Sequence, residues 1–189
     1  MAETFEEKIQ RVTAEVVELA PYNPLWQVRF QQEKEHLQKC LPLDLLSKIE
    51  HFGSTSIPEM PAKPIVDMVI EITDEKRAKK LVPEILEPQG YDCFWRPLGN
   101  ENVPPYFTWC IKRNSLGERT HHLHFVVAGF KDSELLFRDI LRSDPELARQ
   151  YGALKQSLAE THHADRIKYT EAKGEFIRRV LASYRQGAV

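Results

Sequence analysis

A chain of 189 residues with 42% hydrophobic and 29% charged residues can bury a core without staples, and its composition is that of a globular domain rather than a disordered one. The formal net charge of −2 supplies no overall basic field, which argues against nucleic acid and anionic membranes as partners. The opening MAETFEEKIQRV lacks a signal-peptide pattern, no window holds the ~18 apolar residues of a membrane span, and Cys40, Cys93 and Cys110 are odd in number without a CxxC. We therefore expect a cytoplasmic protein with reduced thiols, no disulfide frame and no cysteine-based zinc site.

Residues 3–11 read as a short polar helix, and 1–13 as an N-terminal appendage. Residues 14–20 (AEVVELA) are apolar enough for an edge strand. Pro21-Tyr22-Asn23-Pro24 breaks the chain, with Asn23 a good N-cap and Pro24 suited to a first helical position. Trp26, Phe30, Leu37 and Leu41 recur at helical spacing and predict a helix over 24–40. Residues 48–52 form a short strand that ends at Gly53, and 54–64 read as a loop.

The clearest strand is 65–72 (IVDMVIEI), almost continuously apolar and hence central. Thr73-Asp74 caps a helix over 75–87, stopped by Pro88 and Gly90. Strands follow at 91–96, 106–113 and 120–127, with a Pro/Gly/Asn-rich loop between the first two. Helices are predicted over 133–142, from Pro145 behind an Asp144 cap to 161, and over 165–184. No repeat or linker divides the chain, so 1–189 reads as one α/β domain: a mixed sheet of four to six strands flanked by helices.

Three features carry chemistry. Gly53-Ser54-Thr55-Ser56 offers a glycine, which lets backbone N–H groups approach an anion, and three hydroxyl donors. Lys63 adds a point charge for a phosphate. The bland alternative is a turn that caps its own backbone. Asp67 sits within an apolar strand, where an isolated charge is costly, so it is either paired or bound to a cation. His122 and His124 point to one face of a strand with Cα atoms about 6.5 Å apart, close enough to share a metal or an anion, while His121 points the other way. Arg138, Asp139, Arg142 and Lys155 read as surface ion-pairing groups on helices. His162 and His163 read as helix-end or solvated groups, and Tyr22, Trp26, Tyr106 and Trp109 as core.

Taken together, several runs resemble the GrpB family. They are Pro21-Tyr22-Asn23-Pro24-Leu25-Trp26, the block from Ile49 through His51-Phe52-Gly53-Ser54-Thr55-Ser56 to Pro58, Ala62-Lys63-Pro64-Ile65-Val66-Asp67, and His122-Leu123-His124. Phe137 to Arg142, Tyr151 to Lys155 and the Tyr169/Lys173 pair complete the match, which covers roughly 16–184. The resemblance implies a nucleotidyltransferase-like fold, and related domains fused to dephospho-CoA kinases point to nucleotide or cofactor metabolism.

The superfamily pattern places a Gly-Ser at a strand end and an Asp-x-Asp/Glu pair on the next strand. Gly53-Ser54 and Asp67 match, but the second acid is replaced by Val69. Glu71 stands about 13 Å from Asp67 along a strand, whereas paired metals sit about 4 Å apart. The later strand that should supply a third acid carries His122 and His124. Magnesium prefers oxygen ligands, and imidazoles favour softer ions such as manganese or zinc.

The resemblance thus implies a divergent nucleotidyltransferase-like protein that binds a nucleotide or phosphorylated small molecule. Gly53, Ser54, Thr55, Ser56 and Lys63 would hold the phosphates. Asp67, His122 and His124 would hold one divalent ion or carry out acid–base work. Whether it transfers nucleotidyl groups stays open, and the alternatives are an inactive binding or regulatory module and a phosphoesterase built on the two histidines.

Overall fold

A computed structural model describes residues 18–97, 106–162 and 166–187; the expected helix over 3–11 and residues 14–17 of the expected first strand lie outside them. Of that strand the described part makes a single bridge, Ala20 to Ala62. Five strands, β1 (Leu46–Phe52), β2 (Val66–Ile72), β3 (Tyr91–Pro97), β4 (Tyr106–Arg113) and β5 (Arg119–Val127), form one mixed sheet in the order β1-β2-β5-β4-β3. Only β2 and β5 run parallel; the other neighbours are antiparallel. The α/β class and the strand count both agree with the sequence reading.

Two helices cover one face, α1 (Leu25–Cys40) and α2 (Glu75–Leu86). Asn23 Oδ1 accepts from the Leu25 N–H at 2.9 Å and so caps α1. The helix buries Trp26, Phe30, Glu33 and Leu37, a stripe at helical spacing. Asp74 caps α2 by accepting from the Arg77 N–H at 3.0 Å. The main core forms where Trp26, Phe30, Leu37, Val82 and Leu86 meet Met68, Ile70, Leu123 and Phe125. Glu33 lies on the buried stripe because Tyr91 Oη and Lys112 Nζ both donate to its carboxylate.

The opposite face carries α3 (Asp132–Ser143), α4 (Pro145–Thr161) and α5 (Arg166–Arg185). Asp144 caps α4 by accepting from the Leu147 N–H at 2.9 Å, with Pro145 in the first turn. Phe137, Ile140, Leu141, Tyr151, Phe176 and Val180 join these helices to one another. A smaller apolar group, Phe52, Val69, Val126 and Leu135, ties them to the sheet. No helix among the described residues is long and apolar enough to cross a membrane.

The cysteine expectation is corrected. Cys93 and Cys110 stand directly opposite in the β3–β4 ladder with Cα atoms 4.1 Å apart, and they are joined as a disulfide inside the main core. Their sequence separation of 17 says nothing of this, because strand register alone puts the two side chains face to face. Cys40 remains a free thiol. The cysteines therefore give no argument for a reducing compartment.

Candidate ligand and metal site

The hydroxyl-rich segment folds as a tight turn at the end of β1. Gly53 has φ +69 and ψ −175, a conformation open essentially to glycine, and Ser54–Ser56 follow as one 3-10 turn. The turn is held from within and from α3. Ser56 Oγ donates to the Gly53 carbonyl at 2.6 Å, and Thr55 Oγ1 donates to the Ile65 carbonyl at 3.2 Å. His51 bridges Thr55 Oγ1 and Gln27 Oε1 through its two ring nitrogens, at 3.0 and 3.1 Å. From α3, Arg142 donates twice to the Ser56 carbonyl, and Arg138 donates to the His51 carbonyl and the Glu50 carboxylate. Arg138 is thus a buried clamp rather than a surface ion-pairing group.

Register on the sheet builds the rest. The parallel β2–β5 pairing sets Asp67 opposite His122 and Val69 opposite His124. Asp67 Oδ1 lies 3.1 Å from His122 Nδ1, while His122 Nε2 lies 3.4 Å from Arg119 Nη1. A guanidinium only donates, so Nε2 is the accepting nitrogen and Nδ1–H donates to Asp67. Trp109 stands edge-on to the His122 ring at 5.4 Å, and Phe52 edge-on to the His124 ring at 5.2 Å. Burial alone would raise the Asp67 carboxyl, but the hydrogen bond from His122 and the electrostatic influence of the two imidazoles and Lys63 hold it below the usual carboxylate range. Burial pushes His124 down to about 3, so this imidazole is neutral at physiological pH: fit to ligate a metal but not to neutralise a phosphate.

These groups share a cavity of about 310 Å³ between the sheet and the C-terminal helices. Ser54, Thr55, Lys63, Asp67, His122 and His124 all line it, so six of the eight site residues read from the sequence come together. Gly53 and Ser56 do not reach its wall; Gly53 backs onto Asp67, and the Ser56 hydroxyl is used inside the turn.

Three further lysines line it: Lys131 just before α3, Lys155 on α4 and Lys173 on α5. Lys155 was expected on the surface, yet it is 1% exposed, donates to the Pro61 carbonyl, and is pushed down to about 7 by burial and the neighbouring Lys173. Gly152 makes room for this approach, since a Cβ there would meet Pro61 Cδ at 3.4 Å. The signal was a lysine on the buried stripe of α4 with Tyr151 and Gly152.

The donor set bears on which ion fits. Ligand atoms of Asp67, His122 and His124 lie within 4.8 Å of one another. Metal bonds of about 2.1 Å in tetrahedral array need donors about 3.4 Å apart, a contraction within reach of side-chain rotation. One carboxylate and two imidazoles suit a single ion of the zinc or manganese kind. A two-magnesium centre does not fit: Val69 occupies the second acid's position and is packed with Phe52, Val126 and Leu135.

The five-stranded mixed sheet with helices on both faces is a nucleotidyltransferase-like fold. The uridylyl transferase Cid1, solved with its short product ApU, shares this fold at a TM-score of 0.52 and 14% identity over 82% of this chain and 46% of Cid1. Residues 16–183 match the GrpB protein family, and the chain belongs to it.

A UPF0157 protein of Pseudomonas aeruginosa is 36% identical over 172 residues, covering 87% of this chain and 66% of that relative. A second UPF0157 protein, YqkA of Bacillus subtilis, is also 36% identical and is covered to only 45%. The chain therefore spans less than two thirds of these relatives' own length. The crystal structure of GrpB from Enterococcus faecalis superposes with a TM-score of 0.71 at 29% identity, over 88% of this chain and 99% of that one.

Proposed function

We propose that this chain is a divergent nucleotidyltransferase-like protein that binds a nucleotide or other phosphorylated small molecule in the cavity at Asp67. One observation carries the reading. The Ser54 turn, the Asp67–His122 pair with His124, and Lys63, Lys131, Lys155 and Lys173 all converge on a single pocket. Four lysines against the two carboxylates of Asp67 and Glu134 favour an anionic ligand, and phosphates are anions whose charge and multiple acceptors match such a set.

In this reading Lys63, Lys131 and Lys173 orient the phosphates, and Lys155 takes up a proton as they bind. Asp67 holds the Nδ1 proton of His122, which leaves Nε2 to accept a proton when Arg119 yields. A single divalent ion held by Asp67, His122 and His124 would polarise a phosphoryl oxygen when bound. Val69 favours a second reading, a binding or regulatory module without transfer chemistry, because the acid pair of an active transferase is incomplete.

Calorimetry with nucleoside triphosphates, each with magnesium, manganese or zinc, tests the proposal on the wild type and on Asp67→Ala. The expected result is metal-dependent binding that Asp67→Ala abolishes while its circular dichroism stays native. Equal affinity in the two proteins would overturn it. Pyrophosphate release marks transfer, inorganic phosphate release marks a phosphoesterase, and binding with neither marks the regulatory module.

A further inference from the structure

Arg119 and His122 stand three residues apart on β5, a spacing that puts side chains on opposite faces of a regular strand. Here they meet: His122 Nε2 lies 3.4 Å from Arg119 Nη1. The β4–β5 register explains the contact. It pairs Lys112 with His121 and Arg113 with Arg119, so two steps along β5 match one along β4, and Thr120 is the extra residue of a bulge. The bulge turns Arg119 onto the face of His122, where the two residues are 5% and 6% exposed. A guanidinium is thus buried against a candidate metal ligand.

Lone-pair counting gives this contact a consequence. A neutral imidazole carries one N–H and one lone pair. The Nδ1–H of His122 donates to Asp67 Oδ1 at 3.1 Å, and Arg119 donates to the lone pair on Nε2. A metal ion needs that lone pair. An ion bound at Nε2 takes the place of Arg119. An ion bound at Nδ1 sends the proton to Nε2, which then faces a guanidinium that has donors only. Metal ligation by His122 and the Arg119 contact therefore exclude each other at either nitrogen. Arg119 has somewhere to go, because it also borders an outer groove of about 840 Å³ lined by Glu18 and Glu118 as well as by Arg29, Lys63 and Arg113. The groove carboxylates can receive the guanidinium.

We propose that Arg119 controls occupancy of the metal site: in the metal-free chain it holds the His122 lone pair, and it withdraws into the outer groove when a divalent ion binds. The inference rests on the reading of Asp67, His122 and His124 as metal ligands. Calorimetry with zinc and with manganese on the full chain and on Arg119→Met tests it, with urea midpoints as the check on folding. Arg119→Met removes every donor and keeps a long side chain. It should bind the ion about tenfold tighter than the wild type, the scale on which partners of a ligating histidine act. Arg119→Gln, whose amide oxygen can accept from a histidine N–H, should also bind more tightly and serves if the methionine impairs folding. Adding Asp67→Ala to either variant should abolish the gain, which ties it to this cavity rather than to histidines elsewhere. Affinity that is unchanged or weaker in a folded variant, or a gain that survives Asp67→Ala, overturns the role of Arg119; the metal site itself stands if Asp67→Ala alone weakens binding. Failure of the wild type and every variant to bind either ion overturns both.

Discussion

The Asp67 carboxylate lies against the backbone of Gly53 so closely that a Cβ at position 53 would meet Asp67 Oδ2 at 2.5 Å. The glycine of the turn and the strand carboxylate therefore form one unit, and the space that Gly53 leaves empty sets where Asp67 can point. Gly53→Ala should destabilise the fold by about 1–3 kcal/mol, because φ +69 with ψ −175 is strained for any residue with a Cβ. It should also displace Asp67 and weaken ligand binding. Urea denaturation reads the first effect and calorimetry the second; unchanged values in both would remove the constraint.

Restoring the second acid of the superfamily pattern should fail. Val69 is 1% exposed among Phe52, Val126 and Leu135. A carboxylate placed there has no partner in that group, so Val69→Asp should cost roughly 3 kcal/mol or more and create no magnesium site. A native melting temperature, or new magnesium-dependent activity, would show the position to be more open than its packing indicates.

Lys155 makes stability depend on pH in a defined direction. Burial and Lys173 push it down to about 7 in the fold, while an unfolded lysine keeps its proton to about 10.4. Between those values the unfolded chain binds more protons, so this residue makes the fold more stable as pH rises from 7 toward 10. Lys155→Met should remove that rise. The stability difference, variant minus wild type, should be largest near pH 7 and shrink by pH 10, as measured by urea midpoints. A difference that stays flat across this range would contradict the assignment.

The disulfide has a direct chemical readout. Under denaturing, non-reducing conditions an alkylating reagent should label Cys40 alone, and after reduction all three cysteines. Loss of the cross-link by Cys93→Ser should cost about 3 kcal/mol, the chain-entropy scale for a loop of this size. Labelling of three thiols without reduction would show that the bond does not form.

Local patterns in the chain were sufficient for most of the described helices and strands. Trp26, Phe30 and Leu37 repeat at the helical period, the apolar run to Ile72 reads as a buried strand, and Asp74 and Asp144 mark helix starts, because each signal depends on a few neighbouring residues. The same locality exposed Gly53-Ser54, Asp67 and His122/His124 as chemically unusual for their surroundings. It could not show that Lys155 and Arg138, on helices read as solvated, turn inward.

By itself, then, the order of residues determined most of the described elements, the mixed α/β class and six of the residues that line the candidate cavity. Only the tertiary structure decided who faces whom: Asp67 across from His122, Cys93 across from Cys110, and Lys155 against Pro61. Pairing between distant segments is governed by strand register and helix docking. These minimise exposed apolar surface and unmet hydrogen bonds over the whole chain, and no short window of sequence contains that balance.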